Sequence, residues 1–104
     1  MSAIVLRERD WATLRGIFRR HPAIRQVRLF GSRAGGSVRR VSDIDLAIVA
    51  PEMSAGEWAE LKGELDDAPI VYEIDAVRLD QLADGSFKEK IERASVRLYE
   101  WAGG

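Results

Sequence analysis

The chain has 104 residues, sixteen of them basic and seventeen acidic, with no cysteine and a net charge of −1. That length suits one small domain over residues 1–104, and 46% apolar with 32% charged residues describes a soluble, folded chain rather than a disordered one. The composition excludes disulfides, thiolate catalysis and zinc–thiolate sites, lends no support to direct nucleic-acid binding, which wants a basic excess, and contains no apolar run near the ~18–20 residues of a membrane span.

The start, Met1 to Arg9, lacks the layout of a signal peptide, so a cytoplasmic protein is expected. Trp11, Leu14, Ile17 and Phe18 then fall on one face of a helix over residues 10–20. Asp10 serves as its N-cap or first-turn acid. His21-Pro22 stops the helix, with His21 expected at the surface. Val27 to Phe30 is a short strand running into Gly31-Ser32, and Gly31 to Arg40 reads as a glycine- and arginine-rich loop. Ile44 to Val49 is a strongly apolar strand ended by Pro51.

Ser54-Ala-Gly-Glu57 matches a capping box and predicts a helix whose buried face continues through Trp58, Leu61 and Leu65. Pro69 breaks the chain, and Ile70 to Leu79 reads as a third strand with Val71, Glu73 and Asp75 on one face. Ser86-Phe-Lys-Glu89 is a second capping box, predicting a helix to about Ser95 with Phe87 and Ile91 inward. Val96 to Trp101 is ambiguous, and Trp101 is a candidate interface residue. The order predicts a small α/β or α+β domain with a mixed sheet flanked by helices.

Chemistry concentrates in three places: Gly31-Ser32 after a strand, Asp43-Ile44-Asp45 at the mouth of the next, and Glu73 and Asp75 in the third. Residues two apart on a strand share a face, so Asp43 and Asp45 point together, their Cα atoms roughly 6–7 Å apart. If the second and third strands are neighbours, three or four carboxylates converge. Like charges that close repel, and a divalent cation relieves them. Hard oxygen donors without His or Cys suit Mg²⁺ or Mn²⁺, and Mg²⁺ favours sites completed by substrate phosphates. Gly31 and Ser32 offer a phosphate holder, with close backbone approach and the positive end of a short helix. Arg33 can sit near a triphosphate or the third acid.

Gly31-Ser32, ten intervening residues and Asp43-x-Asp45 together resemble the signature of the DNA polymerase β-like nucleotidyltransferases. Gly31-Ser32-Arg33-Ala34 followed by Ser42-Asp43-Ile44-Asp45-Leu46-Ala47 is similar, within that superfamily, to the minimal nucleotidyltransferase antitoxins paired with HEPN-domain toxins. The resemblance implies a nucleotidyltransferase fold. It also implies that Asp43, Asp45 and Asp75 are catalytic and hold two Mg²⁺ ions, and that Gly31, Ser32, Arg33 and Ser42 bind ATP. It favours Asp75 over Glu73 as the third acid. It further implies a HEPN RNase toxin as protein partner, to whose tyrosine AMP is moved. A purely binding antitoxin, or a nucleotidyltransferase acting on a small molecule or RNA beside a separate acceptor subunit, are the alternatives.

Overall fold

The computed structural model describes residues 6–30 and 44–101. The order is α1 (Glu8–Arg19), β1 (Gln26–Phe30), β2 (Ile44–Val49), α2 (Ala55–Asp67), β3 (Ile74–Arg78), a 3₁₀ turn (Leu79–Gln81), α3 (Ser86–Ala94) and β4 (Val96–Glu100). The sheet runs β3-β2-β1-β4. β1 is antiparallel to both β2 and β4, and β2 and β3 are parallel, joined by α2. This is the expected mixed sheet with helices. No helix among the described residues is long and apolar enough to cross a membrane.

Alternation along the strands divides the sheet into two faces. Val27, Leu29, Ile44, Leu46, Ile48 and Ala76 turn toward α1 and α2, and form the main core with Leu14, Ile17, Phe18, Leu61 and Leu65. The opposite face carries Ala47, which packs with Leu79 and with Ile91 of α3. Arg28, on that same face, donates from Nε to Ser95 Oγ and so anchors the end of α3 against β1. Phe18 meets Tyr99 at 5.3 Å between ring centroids, tying α1 to β4.

Ser54 caps α2 as its sequence pattern predicts, accepting from the Glu57 N–H at 3.1 Å. Elsewhere the local signals needed correction. Arg7, not Asp10, is the N-cap of α1, and Asp10 is a buried first-turn acid. Gly85 takes the cap position of α3, with Ser86 already helical. Phe87 is 51% exposed rather than inward, while Ile91 of the same helix is buried. Residues 96–100 form a fourth strand, which pairs with the edge of β1 left free by β2. β3 begins at Ile74, four residues later than predicted. Ahead of it Val71 is 82% exposed, and the Glu73 carbonyl accepts from the Ile44 N–H of β2 at 2.8 Å.

His21 is the largest departure: it is 3% exposed, not at the surface. Its Nε2 lies 2.9 Å from Glu64 Oε2 and its Nδ1 lies 3.5 Å from Glu57 Oε2. Carboxylates only accept, so a ring nitrogen that carries a proton donates to the glutamate beside it. Arg20 adds a guanidinium on Glu64, at 2.8 Å. The end of α1 is thereby stapled to α2. Arg78 is also buried; it donates to the Ala50 and Met53 carbonyls at 2.7 and 3.0 Å, while Asp80 accepts from the Ala50 N–H at 2.8 Å. Together they close the turn from β2 into α2.

Leu46 has no exposed surface, so Leu46→Ala should cost about 2–5 kcal/mol in urea unfolding. Burial pushes the Glu64 carboxyl up, but hydrogen bonds and charge from Arg20 and His21 outweigh it and hold the group below its ordinary 4.5. A carboxyl depressed in the folded state adds stability above its unfolded value and loses it as pH falls through the folded one. Melting temperature should therefore drop as pH goes below about 4.5, and Glu64→Gln should flatten that drop. An unchanged acid limb in the variant would assign the loss to other groups.

Candidate active site

β1, β2 and β3 align one residue each in a single row: Phe30 is the partner of Asp45, and Asp45 is the partner of Asp75. Register partners project to the same face, and neighbouring strands lie about 4.8 Å apart. The carboxyl groups of Asp45 and Asp75 therefore leave the same face of adjacent strands. It is the face that carries Ala47 and Val77, opposite the main core. Ile44 and Leu46 flank Asp45 in sequence and are buried on the other side. Strand alternation alone thus turns the aspartate out of the core while its neighbours hold it in place.

Asp45 is half-buried and Asp75 exposed. Asp75 has no hydrogen bond or ion pair with the described residues. Glu73, the other acid considered for this strand, lies before β3 begins; its carbonyl holds the strand entry, and its side chain is exposed. Of the predicted site residues, the structure brings together Asp45 and Asp75. Gly31, Ser32, Arg33, Ser42 and Asp43 lie outside the described residues. The chain leaves the row at Phe30 directly into Gly31 and re-enters it from Asp43, two positions before Asp45.

Two carboxylates from neighbouring strands, with no His or Cys in the row, are a hard-oxygen donor set, and they fit Mg²⁺ or Mn²⁺ better than zinc. A different group of His21, Glu60 and Glu64 has ligand atoms within 4.8 Å of one another. It lies between α1 and α2, on the other side of the sheet, and Arg20 already neutralises Glu64 there. Its signal in the sequence was the spacing Glu57, Glu60 and Glu64, one face of a helix, with the partner His21 distant in the chain.

Phe30 was not singled out from the sequence, where it is one more apolar residue of a strand. It is half-buried, and its ring meets that of Phe87 edge-on, with centroids 6.2 Å apart and an interplanar angle of 80°. A hollow of about 210 Å³ opens there, lined by Phe30, Phe87, Lys90, Ile91 and Ala94.

The family described as Polymerase beta, Nucleotidyltransferase matches residues 12–102. No protein of curated function matches the chain. Solved structures share the fold, and two of them are toxin-antitoxins. One is a toxin-antitoxin with AMP-PNP, 23% identical at a TM-score of 0.70, the match covering 89% of this chain and 75% of that one. The other is a mutant of the toxin-antitoxin MntA-HpeT, in which two aspartates two residues apart are replaced by glutamates. It is 20% identical at a TM-score of 0.68, with 88% and 74% covered.

Like charges directly opposite on paired strands are destabilising. Asp75→Asn should therefore raise the metal-free stability by about 0.2–1 kcal/mol, and should reduce the gain in melting temperature that MgCl₂ gives the wild type. A variant with no metal-free gain and an undiminished magnesium response would show that the two carboxylates do not act on one ion.

Proposed function

Because the chain belongs to the polymerase beta nucleotidyltransferase family, we propose that it is a minimal nucleotidyltransferase domain acting as an antitoxin, which moves AMP from ATP to a tyrosine hydroxyl of a cognate HEPN RNase toxin. The observation that carries the reading is the register of β2 and β3, which puts Asp45 beside Asp75 on one face. Asp43 precedes Asp45 by two positions, the spacing of the aspartate pair replaced in the MntA-HpeT mutant. AMP-PNP in the other toxin-antitoxin supports ATP as the nucleotide. The pairing of antitoxin with toxin in both neighbours supports a protein acceptor, held by a partner chain in the cytoplasm.

In this reading Asp43, Asp45 and Asp75 hold two Mg²⁺ ions, while Gly31, Ser32, Arg33 and Ser42 hold the triphosphate. When bound, the ions supply positive charge to the triphosphate and lower the cost of an anionic nucleophile. A phenol with a pKa of about 10 is a weak nucleophile at neutral pH. Asp75, at the exposed end of the row, receives the phenolic proton. The tyrosine oxygen forms a bond to the α-phosphorus of ATP, the bond from that phosphorus to the bridging oxygen of the β-phosphate breaks, and pyrophosphate leaves. Asp45, fixed by the buried Ile44 and Leu46, sets the position of the row against which the phosphorus is presented.

The test is incubation with ATP labelled at the α-phosphate, MgCl₂ and the purified toxin encoded beside it. Label is expected on the toxin, with Asp45→Asn and Asp75→Asn each lowering the rate by at least about 100-fold, the scale of losing a group that acts in the transition state. Neutralisation of the toxin by both variants, without ATP, would instead make the protein a binding antitoxin. Label found only on an added RNA or small hydroxyl compound would move the acceptor to another class.

A further inference from the structure

The hollow beside the row has a chemistry of its own. Its walls are the rings of Phe30 and Phe87, and Ile91 and Ala94 line it too. Among the described residues its one polar side chain is Lys90, which has no ion pair with any of them. Phe87 leaves half of its ring in water although a buried position beside Ile91 is one helical turn away. At about 210 Å³ the space takes a ring system and not a chain segment. It also begins in the row: Phe30 is the register partner of Asp45 and the residue before Gly31. A nucleotide whose phosphates lie along the row therefore reaches the hollow with its base.

We infer that this hollow is the nucleobase subsite, and that it selects purines by ring area rather than by a hydrogen-bond code. The inference rests on the nucleotidyltransferase reading above and adds to it the residues that choose the base. A flat ring entering here makes stacked or edge contacts with Phe30 and Phe87. A purine offers these walls more surface than a pyrimidine. Lys90 can only donate, so it meets acceptor atoms that adenine and guanine both carry, N7 among them. Among the described residues of the lining no side chain accepts a hydrogen bond from an exocyclic amine, so the two purines are treated alike.

Isothermal titration with Mg²⁺ complexes of ATP, GTP, CTP, UTP and inorganic tripolyphosphate tests this. ATP and GTP should bind within about twofold of each other and about fivefold more tightly than CTP or UTP, a fraction of one base–aromatic stack because pyrimidines stack too. Phe87→Ala should weaken ATP and GTP about tenfold while leaving tripolyphosphate unchanged. Phe87→Tyr, which keeps the ring, should match the wild type and reports on folding. If Phe87→Ala binds ATP as the wild type does, or if ATP is strongly preferred to GTP, the hollow does not hold the base, although the transferase reading survives. If the wild type binds neither ATP nor tripolyphosphate, both readings fall together.

Discussion

The parallel pairing of β2 with β3 sets two aspartates side by side, and most of the structure can be understood as what makes that pairing hold. Two carboxylates on adjacent strands repel each other and would rather be apart. They are kept together because the same pairing aligns Ile44 with Ile74 and Leu46 with Ala76, and the second of these pairs is buried against the helices. Slipping the register by one residue would separate the acids, but it would also turn the apolar set of β3 out of the core. The hydrophobic face thus fixes the register that places the two acids side by side.

The two faces of the sheet divide the work. On one side α1 and α2 supply the bulk of the apolar burial, and Arg20, His21, Glu57 and Glu64 join the helices to each other. On the other, α3 packs on the sheet through Ile91 and meets Phe30 of the row through Phe87 in its first turn. The buried Arg78 serves the same division, since it stiffens the turn that carries the chain from β2 across to α2 and back into β3.

Elements that announce themselves locally were legible in the residues. Ser54 and Glu57 mark the start of α2, the apolar run from Ile44 to Val49 marks β2, and Pro22 and Pro69 mark interruptions. Where tertiary partners decide, the local signal misled. Residues 96–100 have too little pattern to declare a strand until β1 offers a free edge. Residues 70–73 alternate like a strand yet lie outside the ladder, which begins at Ile74 where β2 supplies a partner. His21 looks like a terminator beside a proline, and only the packing of α2 against α1 buries it between glutamates more than thirty residues away.

What the chain determined by itself was the chemistry: paired aspartates two apart, a glycine-serine turn ten residues before them, and an acid in an apolar third strand. Those are short-range facts, because strand alternation fixes which neighbours share a face. What only the tertiary structure decided was which distant residues stand beside Asp45. Register is a property of two strands at once, so the choice of Asp75 over Glu73 as its neighbour, and of Phe30 on its other side, required β1, β2 and β3 to be assembled against their common core.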